Sequence, residues 1–440
     1  MTAEKLDFKR VFPIFMIVLV DLLGLTIIIP LLPLYAASFG ADPLTIGVIA
    51  AAYPTMQLIG GPLLGSLSDR YGRKPVLLVS QIGTLIGFLL LGFANALPIL
   101  LLSRVIDGLS GANIVAAQAA ITDVTTPQTR TQGLGLIGAA FGLGFTLGPA
   151  IAGIALALSN NNYQVPAFIA AGFSLVTILL TAFRFDETHP AERRAQHAAS
   201  ARTPMLQTLL RAIRSPFVGM LLVLMFAQQL VFGGFENLAS LFNLSRLGLN
   251  ASSNAVVFVY IGILVVFVQG YAIGRWSQRF GERRLVLAGL LLLGVSLMLI
   301  AVTPEQPVPW YSRAALVEEL SASTTSTVAV ALPSDANTGW LGLGWLLLMM
   351  IPASIGGAIL SPSINSLITK RAAPQETGAI LGVSASMVSL ANAITPLIGG
   401  ALFQWLGSTA PFLFGGLVML ALLALSIVLK TGVETAAQPG

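Results

Sequence analysis

Gly65-Ser66-Leu67-Ser68-Asp69-Arg70-Tyr71-Gly72-Arg73-Lys74 is the stretch that decides the fold. It sets the charges of Asp69, Arg70, Arg73 and Lys74 between two long apolar runs, in a sequence only 9% charged. A second version follows as Gly274-Arg275-Trp276-Ser277-Gln278-Arg279-Phe280-Gly281-Glu282-Arg283-Arg284. Gly, Ser, Arg and Gly recur 209 positions on, Gly65 as Gly274, Ser68 as Ser277, Arg70 as Arg279 and Gly72 as Gly281. A short basic loop repeated once in this setting predicts a duplicated, all-α membrane bundle.

Composition agrees. The 440 residues are 55% hydrophobic, with a mean hydropathy of +0.86. Soluble domains carry about a quarter of their residues as charges, so this chain cannot cover a water-facing surface. The formal charge of +5 is spread over short loops and does not suggest nucleic-acid binding. The absence of cysteine excludes thiol catalysis and disulfides. Two histidines in one polar linker leave no histidine-based metal cluster, and no cofactor is expected. Lys5, Lys9 and Arg10 followed by an unbroken apolar run read as a first span rather than a cleaved signal.

A helix needs about 20 apolar residues to cross the hydrocarbon layer. Twelve stretches qualify: 12–36, 44–66, 75–95, 97–120, 132–157, 164–184, 216–240, 254–275, 285–303, 340–363, 378–403 and 408–430. With the N-terminus inside, 20 of the 23 basic residues fall at or near the cytoplasmic face, so both termini are expected to be cytoplasmic. Residues 1–184 and 214–430 form two six-helix halves, with 185–213 as a solvated linker and 431–440 as a tail. Downstream the repeat shifts to 247 positions: Pro127-Gln128 recurs as Pro374-Gln375, Gly135 as Gly382, Pro149 as Pro396 and Gly153 as Gly400. The change of 38 is close to the length of an outer segment, 304–339, which reads as an insertion. Ala314 to Leu320 has the pattern of a short amphipathic helix. Two parallel six-span repeats are a transporter architecture, with its site between the repeats.

Charges inside spans are costly and mark ion or substrate pathways. Asp21 is near the middle of span one. Arg104 and Asp107, three apart on one face of span four, form a second candidate, and Gly108 and Gly111 allow close helix approach beside them. A carboxyl pulled one way by burial and the other by an arginine can load and release a proton; a static structural pair is the competing reading. Gln57, Asn113, Gln118, Gln228, Gln229, Glu236 and Asn365 are candidate cavity residues, each also explicable as interhelical glue. Asp123 is placed to pair with a basic loop. No phosphate-binding loop of the Gly-x-x-x-x-Gly-Lys-[Ser/Thr] type occurs, so ATP drive is unsupported, and no enzyme signature is present.

Gly65–Lys74 resembles the signature between spans two and three of the major facilitator superfamily, with Asp69, Arg70, Gly72, Arg73 and Lys74 in place. Asp21-x-x-Gly24 with Pro30 and Pro33 is similar to span one of the 12-span drug:proton antiporters. Arg104 with Gly108 and Gly111 resembles their span-four motif. Ala140, Gly144, Gly148-Pro149 and Ala152-Gly153 resemble their span-five antiporter motif, in which Pro149 should kink the helix. The resemblance covers the whole chain and looks nearest to bacterial tetracycline and multidrug effluxers. It implies a monomeric exporter of the bacterial cytoplasmic membrane, exchanging apolar or amphipathic small molecules for protons, the proton being the coupling ion. It also implies a cytoplasmic latch in which Asp69 meets span eleven near Thr377-Gly378 and Arg70 or Arg73 meets Asp123. In those exporters spans three and nine carry acidic residues where this chain has Gly87 and Leu293, and Val265 stands where some have a histidine. The expected substrate therefore shifts from the metal–tetracycline complex to broader apolar or cationic molecules. Two rivals remain: a same-fold transporter of a sugar, metabolite or lipid precursor, and a membrane sensor or adaptor that uses 304–339.

Overall fold

The computed structural model describes residues 7–111, 113–126, 129–189, 216–321, 329–371 and 377–434. Among them all regular structure is helical. The helices are α1 (Phe8–Ile28), α2 (Leu32–Ser38), α3 (Pro43–Tyr71), α4 (Arg73–Gly92), α5 (Leu97–Ser110), α6 (Asn113–Val124), α7 (Arg130–Leu158) and α8 (Gln164–Arg184). There follow α9 (Pro216–Leu247), α10 (Ala251–Phe267), a π-turn (Val268–Ala272), α11 (Ile273–Phe280), α12 (Glu282–Ala301), α13 (Arg313–Ser321), α14 (Leu341–Arg371), α15 (Thr377–Leu406) and α16 (Ala410–Glu434). Among the described residues, eleven helical stretches are long and apolar enough to cross a membrane. The predicted span 97–120 is not one of them: it is present as α5 and α6, and α5 stops at Gly111.

Local chemistry sets the helix ends. The Asp42 carboxylate accepts from the Thr45 N–H at 2.7 Å, and Pro43 opens α3 at the one place where a missing N–H costs nothing. Gly72 (φ 105°) ends α3 and starts α4; Gly281 (φ 78°) does the same between α11 and α12. With ψ near 164° and 151° respectively, both lie in a backbone region that is essentially reserved for glycine. α7 runs unbroken through Pro149.

Two compact units result. The first is Met1–Arg202 with Asn250–Gly262 and Ala315–Val330; the second is Thr203–Leu249, Ile263–Ala314 and Ala331–Gly440. In the first, α1 packs on α7 and α8, and α4 packs on α5 and α8. In the second, α9 packs on α15 and α16, and α12 packs on α14 and α16. These pairings correspond one to one under the sequence repeat. The core of the first unit joins Ile14, Val18 and Leu22 of α1 to Ala117 and Ile121 of α6 and Ala140 of α7. The expected helix at Ala314–Leu320 is α13, which buries Leu316 and Leu320. Pro127-Gln128, Pro374-Gln375 and linker residues 190–215 lie outside the described residues.

Candidate functional site

The first unit holds a buried ion pair. Arg104 and Asp107, each 2% exposed, face one another with Arg104 Nη1 3.2 Å from Asp107 Oδ2. The contact lacks hydrogen-bond direction: Asp107 Oδ2 and Arg104 Nη2 are buried without a hydrogen-bond partner among the described residues. Arg104 Nε donates to Ser103 Oγ at 3.3 Å. Its guanidinium stands 5.7 Å from the centre of the Phe88 ring, within cation–π range. Thr84 is hydrogen-bonded to Asp107. The pair is thus held in place while its charges remain incompletely satisfied, the condition in which adding or removing one proton changes most.

Beside the pair is a cavity about the size of one water molecule. It is lined by Asp21, Leu25, Tyr53, Thr84, Phe88, Asp107, Gly111 and Ile114. Asp21 and Asp107, from spans one and four, therefore line one cavity. Glycines make the approach possible. A Cβ on Gly108 would lie 2.4 Å from the Tyr53 carbonyl oxygen, and one on Gly60 would lie 2.3 Å from that of Leu109, so α3 and α5 touch through their backbones. A Cβ on Gly87 would lie 2.8 Å from the Asp107 Cβ. A side chain at position 87 is thus incompatible with Asp107 where it stands.

Gln57 belongs to the same cluster. Its Nε2 donates to the Gly111 carbonyl at 2.8 Å and to the Tyr53 hydroxyl at 3.2 Å. Gln118 is exposed, and the side chain of Asn113 lies outside the described residues. In the second unit, Gln229 Nε2 donates to Asn392 Oδ1 at 2.9 Å. Ser384 Oγ donates to Asn365 Oδ1 at 3.3 Å. Gln228 is 2% exposed with its Oε1 unpartnered among the described residues, and Glu236 is half-buried. The span-five glycines pack on α1: a Cβ on Gly144 would meet Leu22 at 3.3 Å, and one on Gly148 would meet Thr26 at 2.1 Å. Thr26 Oγ1 donates to the Gly144 carbonyl at 2.9 Å. Gly153 faces Ala255. The motif thereby fixes the helix that carries Asp21.

Arg73 is the centre of the basic loop. It contacts Asp69 at 2.8 Å and Asp123 at 3.0 Å, and donates to Ser68 Oγ at 2.9 Å. Of the two arginines expected to reach Asp123, Arg73 does so; Arg70 is exposed and stands over the Tyr71 ring. The side chains of Thr377 and Gly378 lie outside the described residues. Glu187 accepts from the N–H groups of Arg73 and Lys74 at 2.9 and 3.1 Å, capping α4 with an anion where the helix dipole favours one.

Sequence reading missed Tyr53, Thr84, Phe88 and Glu187, and singled out Ser68 only as part of the repeat. Ser80, Gln81, Thr84 and Gly87 do form a polar stripe at helical spacing, which was a usable signal for Thr84. A single tyrosine within a span gave none.

A duplicated membrane bundle with a buried ion pair and paired helix contacts is the build of a secondary transporter. The chain belongs to the Major Facilitator Superfamily, whose family model matches residues 14–338. It is similar to the tetracycline resistance protein, class B, of Escherichia coli, 29% identical over 88% of this chain and 87% of the relative. It is similar to multidrug resistance protein 2 of Bacillus subtilis, 26% identical over 94% of this chain and 93% of the relative. Among solved structures, the human organic anion transporter MFSD10 (TETRAN) matches with a TM-score of 0.65 and 24% identity, covering 96% of this chain and all of that one; this likeness bears on the fold. The chain is a multi-pass cell-membrane transporter and not an enzyme.

Proposed function

We propose that the protein is a proton-coupled antiporter that exports apolar or amphipathic small molecules by alternating access. It works as a monomer of twelve spans with both termini cytoplasmic, and uses no cofactor besides the coupling proton. The observation that carries this reading is the Arg104–Asp107 pair, buried beside Asp21 around one small cavity. Charges in such a place cost at least a few kcal/mol, and ion pathways are their usual reason for being there. The likeness to tetracycline and multidrug resistance proteins along nearly the whole chain supports export.

Binding of a proton to the cluster favours one access state, and substrate favours the other. Differential affinity is required, because equal binding to both states shifts nothing. Asp21, Arg104 and Asp107 carry the proton. Gly144, Gly148, Pro149 and Gly153 hold α1 in register, and the Arg73-centred loop is the rigid cytoplasmic end. Gln57 belongs to the proton cluster. Asn113, Gln118, Gln228, Gln229, Glu236 and Asn365 are the proposed substrate-contacting set.

The test uses inverted membrane vesicles with an imposed proton gradient. Adding ethidium is expected to dissipate the gradient in the wild type and not in Asp21→Asn or Asp107→Asn, with tetracycline the weaker substrate. Arg104→Lys keeps the charge, loses the planar fork and is expected to abolish coupling. Gradient loss caused by a metabolite but by neither drug would replace the exporter with a solute transporter.

A further inference from the structure

Among the described residues, Tyr53 is the one phenol on the cavity that Asp21 and Asp107 share. Its ring is brought there by backbone contact between α3 and α5, since Gly108 leaves room for the Tyr53 carbonyl and Gly111 leaves room for the hydroxyl (a Cβ on Gly111 would lie 3.1 Å from it). Gln57 fixes its orientation. With Gln57 Nε2 donating to the Tyr53 oxygen and to Gly111, one lone pair of the phenol is occupied. A phenol has one proton to give and a second lone pair to receive. Among the described residues, the other polar side chains on the cavity are the two carboxyls and Thr84, and Thr84 is engaged with Asp107. The titratable and charged groups facing Tyr53 are Asp21 from α1 and Asp107 and Arg104 from α5; α4 contributes only Thr84 and Phe88.

We infer that Tyr53 is a proton-relay residue that passes the coupling proton between Asp21 and Asp107, with Gln57 as its positioning residue. The step is balanced. The O–H bond of the Asp21 carboxylic acid breaks and its proton binds the free lone pair of the Tyr53 oxygen. The original Tyr53 O–H bond breaks and that proton binds the Asp107 carboxylate. Tyr53 ends unchanged, Asp21 becomes charged and Asp107 becomes neutral. Neutral Asp107 no longer holds the Arg104 charge, so the relay ties proton position to the state of the buried pair. The reverse sequence returns the proton. The inference rests on the proton-coupled reading above.

The experiment is a rapid pH drop on the purified full-length protein in detergent, followed by time-resolved infrared absorption of carboxylic-acid C=O bands. The Asp21→Asn and Asp107→Asn variants assign the two bands. In the wild type both bands are expected to rise. In Tyr53→Phe the two bands should reach their wild-type amplitudes, but the second to appear should do so at least about a hundredfold more slowly, in the range by which positioned acid–base groups speed transfer. Gln57→Leu should slow it by a smaller factor. A purely structural Tyr53 would change amplitudes or unfolding temperature without separating the two rates. Equal rates in Tyr53→Phe and wild type overturn the relay while leaving the proton sites standing. No carboxyl band in the wild type overturns the proton-coupled reading and the relay together. Should Tyr53→Phe fail to fold, Gln57→Leu decides: unchanged kinetics in that variant overturn the relay.

Discussion

The two versions of the basic loop share a frame and reverse its charge. Arg73 follows Gly72 and opens α4; Glu282 follows Gly281, 209 positions on, and opens α12. In both the hub bonds the serine five residues back: Arg73 donates to Ser68, and Glu282 accepts from Ser277 at 3.2 Å. In both it pairs with an ion at the other end of the repeat: Arg73 with Asp123, and Glu282 with Lys370, which stands 247 positions after Asp123. The cation–anion pair of one unit is an anion–cation pair in the other. What duplication kept is the glycine backbone, the serine and the complementarity; the sign of each charge was free to change. Burial differs too. Arg73 and Asp123 side chains are 8% and 16% exposed, against 17% and 59% for Glu282 and Lys370. Each hub has three side-chain partners, Ser68, Asp69 and Asp123 for Arg73 and Ser277, Ser366 and Lys370 for Glu282; the first copy is a desolvated clasp, and the second sets a mostly buried anion against a cation that is largely in water.

The sharpest way to break this comparison is to give the first copy the charge of the second. Arg73→Glu would face Asp69 and Asp123 and leave a buried network without its cation. A loss of about 3–5 kcal/mol is expected, as for breaking buried pairs, read as collapse of the thermal-unfolding midpoint in detergent. Arg73→Glu combined with Asp123→Lys should recover much of that loss. No recovery would mean that the frames are not interchangeable. Next come Gly72→Ala and Gly281→Ala. Each forces a Cβ into the glycine-only backbone region and should cost about 1–3 kcal/mol. Similar unfolding shifts in the two would confirm a shared frame. Glu282→Lys, by contrast, should cost under about 1 kcal/mol, because Lys370 is mostly in water and such pairs are worth little. A loss as large as that of Arg73→Glu would remove the distinction between the two copies.

The smallest effect concerns a carboxylate with no cation paired to it among the described residues. Glu319 of α13 is hydrogen-bonded by Asn161 at 3.0 Å, Asn250 at 3.2 Å and Tyr163. Burial raises its carboxyl above the ordinary glutamate value, and the hydrogen bonds of Asn250, Asn161 and Tyr163 offset only part of that rise. A raised carboxyl binds its proton more tightly when docked than when free. Docking of α13 therefore strengthens as pH falls through the docked value and weakens as pH rises through it. The protection of the Arg313–Ser321 amides, after division by the intrinsic exchange rate at each pH, should rise on mild acidification, and Glu319→Gln should remove that dependence. Unchanged protection in the wild type would show that amide donors suffice to hold a charge.

Much of this was legible because periodic and punctuating residues survive in sequence. The repeat of Gly, Ser and Arg located both loops, and two offsets located the outer insertion. Arg104 and Asp107 stood out as charges in an apolar run. What stayed hidden depends on contact rather than type. Tyr53 matters only because Gly108 admits its backbone, and nothing at position 53 reveals this. Glu187 lay in a stretch read as solvated linker; a polar residue after a helix looks alike whether it is free or caps another helix. Glu282 read as part of a basic loop until its equivalence to Arg73 was set beside that of Lys370 to Asp123.

The segment that carries α5 and α6 bears on how the protein is made. With Arg104 and Asp107 each adding about 2.5–3.5 kcal/mol to the cost of entering the bilayer centre, this segment is poorly suited to leaving the translocon alone. Its natural escort is the α3–α4 hairpin, which emerges just before it and supplies Thr84, Phe88 and the backbone groove at Gly60. The groups that would carry the proton in the finished transporter thus also bear on its assembly, since the partners that receive them lie on helices made before their own.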